Sequence, residues 1–441
     1  MNAVYFRVRA DCMFRDCGTD AALYDVTGRR VFLFDDVATS ILRQCEANSA
    51  IDRSTMTEAA WQMLTQLATE GVGTFESAPV YVDGFELENP GAQTISLNPY
   101  GRELPLKTVD YSITGQCDLT CAVCPLKDGR LSRRACTTCV RRSDTGERPE
   151  LLRDPARLAD ELADMGVLLL HVRGGNPLLD PARLHALLSA ARRRELPVVV
   201  TTPGTGQSIA TILEVAEYPH VTLNIVLFGT DRMSTVQFSG ADIFDCQIRL
   251  LDELQRKAAR FTVSFIVNND IYPRRHALQS MIWRRWKKRA AWAEIADRCE
   301  GGRQLSPREL RVSKWVSPVE FNYRKHYNPC LAFRCSIDVD GAVYPCPGMN
   351  RSCGRIEGKE VQTGLLSDAL GTWWEITGGD LTPCTYCVMQ PACVECFSPA
   401  QENLEHELCP FNPRGEVPAW RTRWVPADFV SVVRVSGTGH E

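Results

Sequence analysis

The chain has 441 residues, 44% of them hydrophobic and 24% charged, so it can bury a sizeable core and global disorder is excluded. Its formal charge of −4, from 50 Lys and Arg against 54 Asp and Glu, argues against nucleic acid as a partner, and the basic run Arg284-Arg285-Trp286-Lys287-Lys288-Arg289 reads as one solvated helix face. No stretch approaches the ~18 apolar residues of a membrane span and MNAVYFRVRADC lacks a signal-peptide core, so a cytoplasmic setting without a membrane partner is expected.

Nineteen cysteines are the anomaly, because a reducing compartment disfavours disulfide frameworks and a chain of this size needs no staples. Cys12, Cys17, Cys45, Cys246 and Cys299 are scattered, and most of them read as small buried hydrophobes. The rest are clustered, which points to metal.

Residues 20–78 read as a small unit. ALYDVTGRRVFLFDD reads as two strands turning at Thr27-Gly28, and VATSILRQCEA and TEAAWQMLTQLATEG carry apolar residues at helical spacing. Gly71 is placed to end the second helix, VGTFES adds a strand, and the Pro- and Gly-rich stretch 79–105 reads as a linker. From about 106 to 315 strands alternate with helices. Candidate strands are Thr108–Thr114, Leu168–Arg173, Pro197–Thr202, Val221–Phe228 and Phe261–Asn268, with helical stretches such as PARLADELADMG and PARLHALLSAARRREL between them. This alternation predicts a parallel sheet or barrel, with its chemistry at the C-terminal ends of the strands. From about 325 the alternation stops. CSIDVDGAVYPC reads as a hairpin turning at Asp340-Gly341, in a region whose density of cysteines suggests that metal holds it together.

The first cysteine group, Cys117, Cys121 and Cys124, follows directly on the first of the alternating strands, with the spacing C-x3-C-x2-C. Three thiolates closing on three irons of a [4Fe–4S] cube leave the fourth iron open to a chelating amino-acid group; a zinc ion that borrows a fourth ligand is the alternative. The trio, together with HVRGGNPLL after the second strand, resembles the radical SAM superfamily. The resemblance implies a partial (β/α)6 barrel in which Gly174, Gly175, Asn176 and Pro177 stand where the family usually has GGEP and hold the methionyl amine of S-adenosylmethionine. Asn176 keeps an acceptor oxygen and loses the charge of the usual glutamate. Val123 is placed to offer its backbone to adenine, and the strand tips Thr202, Thr230 and Asn268 are candidates for ribose or methionine carboxylate, with ordinary strand-end polarity as the alternative for each. Reductive cleavage of the cofactor would release a 5′-deoxyadenosyl radical.

The later cysteines resemble the SPASM domain of peptide-modifying radical SAM enzymes. The resemblance implies two auxiliary [4Fe–4S] clusters, one on Cys330, Cys335, Cys346 and Cys396 and one on Cys384, Cys387, Cys393 and Cys409, for three clusters in all. Cys353 competes with Cys335, the final spacing here is Cys393-x2-Cys396 rather than CxxxC, and a pair of zinc ribbons fits the spacings nearly as well. The CTTC pair, Cys136 and Cys139, is left unassigned. The N-terminal unit resembles a winged-helix peptide-recognition element, which adds a leader peptide to a sheet edge; a plain packing subdomain is the alternative. The expected organisation is a winged-helix-like domain over 1–90, the radical SAM core over 91–320 and a cysteine-rich SPASM domain over 321–441. The expected function is cross-linking of a ribosomally made precursor peptide, through a thioether or carbon–carbon bond, with flavodoxin or ferredoxin as electron donor. A radical SAM epimerase or dehydrogenase, and a non-catalytic iron–sulfur or zinc protein, are the alternatives.

Overall fold

The computed structural model describes residues 4–18, 20–25, 27–80, 106–121, 139, 148–267, 271–294, 323–324, 327–328, 330–349, 351–356, 365, 368–381, 384–388, 390–392 and 431–435. In chain order these carry β1 (Tyr5–Val8), β2 (Cys12–Asp16), β3 (Ala21–Asp25), β4 (Arg30–Phe34), α1 (Asp36–Glu46), α2 (Glu58–Thr69) and β5 (Gly73–Glu76). The central stretch holds β6 (Thr108–Thr114), α3 (Pro155–Asp164), β7 (Leu169–Gly174), α4 (Pro181–Arg193), β8 (Val198–Thr202), α5 (Ile209–Ala216), β9 (Val221–Leu227), α6 (Arg232–Ser239), α7 (Phe244–Arg256), β10 (Phe261–Val267), α8 (Ile271–Trp286) and β11 (Ala290–Glu294). Last come β12 (Arg334–Ile337), β13 (Ala342–Tyr344), β14 (Gly354–Arg355), α9 (Asp368–Glu375) and β15 (Ser431–Val435).

Strands β6 to β11 lie side by side in chain order, each parallel to the next. Their helices start where short polar side chains take up orphan amide protons: Asp154 accepts from Ala156 and Arg157, Asp180 from Arg183, and Ser208 from Thr211. Alternate strand residues (Val109, Tyr111, Ile113, Leu170, Val172, Val198, Val200, Leu223, Ile225, Val263) enter one apolar core with the helices. The positions between them carry Asp110, Ser112, Arg173, Thr201, Asn224 and Ser264, buried yet polar, on the opposite, inner face. This is the α/β, barrel-type core expected from the sequence, with β11 as a sixth strand that hydropathy patterning did not reveal.

The sheet continues past β6. Strand β12 pairs with it in parallel, Cys335 opposite Val109, and β13 and β14 follow in antiparallel fashion, so the C-terminal hairpin is part of the barrel sheet. In the N-terminal unit β2, β3 and β4 form an antiparallel meander, and β1 pairs with β5. Strand β15 then lies parallel along β4, Ser431 opposite Arg30 and Val435 opposite Phe34, with Val433 and Val435 packed into the N-terminal core. No helix among the described residues is long and apolar enough to cross a membrane.

Candidate active site

The loop leaving β6 carries Cys117 and Cys121, both half-buried, against an apolar patch of Leu119, Val226, Phe228 and Ile266 at the C-terminal ends of β9 and β10. Two backbone hydrogen bonds bracket it: Asn176 N–H donates to Gln116 O at 2.7 Å, and Thr120 N–H to Ser239 O at 3.2 Å. Glycine is required beneath it. A Cβ on Gly174, whose φ is +95°, would sit 2.2 Å from Thr114 O, and one on Gly175 would sit 1.9 Å from Gln116 O. The two glycines are thus the seat on which the cysteine loop rests. A cluster-bearing loop fits here: two thiols stand beside a glycine cradle, at the strand ends where such sheets place ligands. Cys124 and Val123 lie outside the described residues.

Asn176 is fully buried and bound on both ends of its amide. Its Oδ1 accepts from Thr202 Oγ1 at 2.8 Å and from Leu178 N–H at 3.2 Å, and its Nδ2 donates to Asp118 Oδ1 and Thr205 O, each at 2.9 Å. Thr202 is equally committed, since Gly204 N–H donates to its hydroxyl at 3.0 Å. Pro177 opens a short 3₁₀ turn over 177–179, capped by Asn176. Thr230 is half-buried just beyond β9, donating to Asp231 Oδ2 and accepting from Arg274, each at 3.0 Å. Of the residues expected at the cofactor, the structure brings Gly174, Gly175, Asn176, Pro177 and Thr202 together; Thr230 is engaged with the start of α6 and with Arg274, and Asn268 lies outside the described residues.

The C-terminal cysteines divide. Cys346 is buried with Leu331 and Met349, and half-buried Cys330 donates its N–H to Asn328 Oδ1 at 2.9 Å. Cys335 sits in mid-strand inside the main apolar core, where burial, and then the charges of Asp110 and Cys353, push its thiol well above the ordinary value. Its competitor Cys353 is half-buried, and burial pushes its thiol up to about 11. Cys384 and Cys387 lie on one short turn, Cys387 N–H donating to Cys384 O at 3.1 Å. That turn is held by the N-terminal sheet: Tyr24 Oη donates to Val388 O at 2.6 Å, and Arg15 reaches Cys387 O at 3.4 Å. Among the described residues no three His, Cys, Asp or Glu side chains form a metal-holding group. Cys136, Cys393, Cys396 and Cys409 lie outside the described residues, and Cys139 is half-buried.

Sequence reasoning missed a charged cluster on the inner face. Asp110 of β6 is wholly buried between Arg173 of β7, itself 1% exposed, and Arg334 of β12, whose Nε donates to Asp110 Oδ2 at 2.6 Å. His171 Nδ1 stands 2.9 Å from Arg173 and 3.8 Å from Asp110. Burial alone would push Asp110 up, but Arg173, Arg334 and His171 hold it down at about 2. Burial lowers His171 to about 4 against the pull of Asp110, leaving a neutral imidazole at pH 7. The signal was present in TVDYSIT and LLHVRG, where charged residues alternate with buried apolar ones.

Residues 111–269 match the family model described as the radical SAM superfamily. No curated protein matches the chain in sequence. Among solved structures, Streptococcus suis SuiB bound to the precursor peptide SuiA aligns at 17% identity over 88% of this chain and 94% of that one, with a TM-score of 0.47. SuiB bound to S-adenosylmethionine aligns over the same shares at 17% identity, with a TM-score of 0.48. Histidine-tagged anSMEcpe with bound AdoMet aligns at 12% identity over 66% of this chain and 85% of that one, with a TM-score of 0.50. These likenesses concern the fold. The matched span runs from within β6 to just beyond β10 and contains both the cysteine loop and its glycine seat: the chain carries a radical SAM domain.

Proposed function

We propose that this radical SAM enzyme modifies a ribosomally synthesised precursor peptide, closing an intramolecular thioether or carbon–carbon bond. The observation that carries the reading is the seat of the N-terminal sheet: through Tyr24 and Arg15 it holds the turn bearing Cys384 and Cys387. A unit able to take up an added peptide strand is thereby fastened to a segment suited to an auxiliary cluster. Its β4 edge is covered by β15, and β2 is the outer strand on the other side among the described residues, so the leader would add at β2. Residues 1–90 would receive the leader, 91–320 carry out the hydrogen abstraction, and 321–441 hold two auxiliary clusters.

Cys117, Cys121 and Cys124 would hold the catalytic cluster, and Gly174, Gly175, Asn176 and Pro177 the methionyl end of the cofactor, with Val123, Thr202, Thr230 and Asn268 nearby. S-adenosylmethionine there, reduced by one electron from a flavodoxin or ferredoxin in the cytoplasm, supplies a 5′-deoxyadenosyl radical. Closing the bond removes two hydrogens from the peptide, one as an atom and one as a proton with an electron, and the C-terminal cysteines would hold the group that takes up that electron. The test is anaerobic reconstitution followed by reduction with S-adenosylmethionine. About twelve irons per chain and 5′-deoxyadenosine are expected, both falling when Cys117, Cys121 and Cys124 are changed to alanine. A precursor peptide processed by the enzyme should lose two hydrogens in mass. Zinc in place of iron, with no nucleoside product, would refute the reading.

A further inference from the structure

Asn176 looks at first like a lost charge. Its partners say otherwise. The orientation of the amide is set by groups with fixed roles: the Leu178 N–H and the Thr202 hydroxyl face the oxygen, and the Thr205 carbonyl faces the nitrogen. That nitrogen also meets the carboxylate of Asp118, the residue after Cys117 in the cysteine loop, at 2.9 Å. A carboxylate in the place of this amide would present oxygen to both the Thr205 carbonyl and the Asp118 carboxylate, two acceptors with no proton to share. Asparagine is therefore the residue that Asp118 requires. The other Asp118 oxygen lies towards Gly206, where a Cβ would come 3.5 Å from Oδ2 and 3.1 Å from Asn176 Nδ2, so the chain after β8 closes over this pair. Asp118 itself is exposed, while Asn176 is buried.

We infer that the negative charge for the methionyl ammonium of S-adenosylmethionine is carried by Asp118, with Asn176 as the positioning residue that holds Asp118 on the glycine seat. The charge has moved from one partner of a hydrogen bond to the other, out of residues 174–177 and into the cysteine loop. One oxygen of Asp118 is fixed by Asn176, and the second remains for the cofactor. The inference rests on residues 174–177 being the cofactor seat.

Equilibrium dialysis of radiolabelled S-adenosylmethionine, run anaerobically on cluster-loaded protein, tests it without reference to turnover; the change in the reduced-cluster EPR spectrum on adding the cofactor is the second readout. D118N removes the charge and keeps the shape, and should weaken binding about 10- to 100-fold, the range for losing one hydrogen bond to a charged group. D118E keeps the charge on the same exposed loop position and should bind at least several-fold more tightly than D118N. D118N that binds as tightly as the wild type overturns the inference, as does D118E that takes up its cluster and stays as weak as D118N. Loss of the cluster in both variants also counts against it, because Asp118 is held to act on the cofactor and not on the fold of the loop. Cluster-loaded wild type that binds no S-adenosylmethionine would sink the functional reading itself, an outcome distinct from unaltered binding in D118N.

Discussion

Replacing Asp110 with asparagine asks how firmly the C-terminal hairpin is tied to the barrel sheet. The Asp110 carboxylate, 0% exposed, bridges Arg173 and Arg334, so its loss takes a carboxylate away from a guanidinium that is 1% exposed. Breaking a buried pair from one side costs about 3–5 kcal/mol. The depressed carboxyl points the same way: held at about 2 instead of 3.8, it contributes about 2 kcal/mol when ionised. A loss of about 2–5 kcal/mol is expected, which lowers the urea midpoint at pH 7.5 by about 1 M if the slope is near 3 kcal/mol/M. The acid profile gives a second test. Asp110 is depressed, so its contribution is complete above about pH 4 and disappears as the pH falls towards 2. His171 is held neutral with a value of about 4 against an ordinary 6.5, so its contribution is complete above 6.5 and fades as the pH falls through 4. The wild type should thus lose stability in two overlapping stages below pH 6.5, and D110N should lack the lower one. Removing the buried cation as well, in D110N/R173M, should recover part of the loss. A D110N midpoint equal to the wild type's, or an unchanged acid profile, would refute the reasoning.

Gly175→Ala should fail to retain the catalytic cluster, losing about four irons per chain with little change in far-UV circular dichroism, because its Cβ would lie 1.9 Å from the Gln116 carbonyl oxygen, which is backbone and cannot swing aside. Gly371→Ala is the control: a Cβ there meets nothing within 4 Å, and α9 should gain up to about 1 kcal/mol of helix propensity. Tyr24→Phe removes the donor to Val388 O and should cost about 1–3 kcal/mol, read as faster proteolysis around 384–388 with β3 and β4 still protected. Truncation after Val430 uncovers the β4 edge and should produce self-association in light scattering; a monodisperse, equally stable chain would refute the closing role of β15.

What could be read from the sequence was what is local. The strand–helix alternation, the hairpin at Thr27-Gly28, its counterpart at Asp340-Gly341 and the end of α2 before Gly71 all depend on neighbours in the chain, and each is present. Strand β15 was not legible because its partner β4 lies some four hundred residues earlier and nothing in SVVRV specifies it. The basic run read as one solvated helix face is helical only at its start, since α8 ends at Trp286, and it contains that Trp286, 1% exposed, whose indole donates to Asp252 Oδ1 at 3.0 Å. The site divides in the same way. Spacing exposed Cys117, Cys121 and the two glycines. The partners of Asn176 come from the cysteine loop, the end of β8 and the turn after it, so the residue could be found from the sequence and its role could not.

The connections between distant parts of the chain also bear on how peptide uptake would reach the chemistry. Among the described residues the C-terminal region meets the rest along β12 beside β6, where Arg334 reaches Asp110, at the Cys384–Cys387 turn under Tyr24 and Arg15, and along β15 beside β4, among other contacts. The turn and β15 both involve the N-terminal meander. The outer strand on its other side among the described residues, β2, carries Arg15, the side chain that reaches the Cys387 carbonyl. A peptide strand added along β2 would therefore be bound by the strand that positions this cysteine turn, and any difference in the turn between bound and unbound forms appears as a difference in peptide affinity. The linkage is reciprocal. Loading metal at Cys384 and Cys387 should alter leader affinity by the same factor by which the leader alters metal retention, and Arg15→Ala should weaken both together. Independent responses would mean that the meander packs beside the turn without reporting on it.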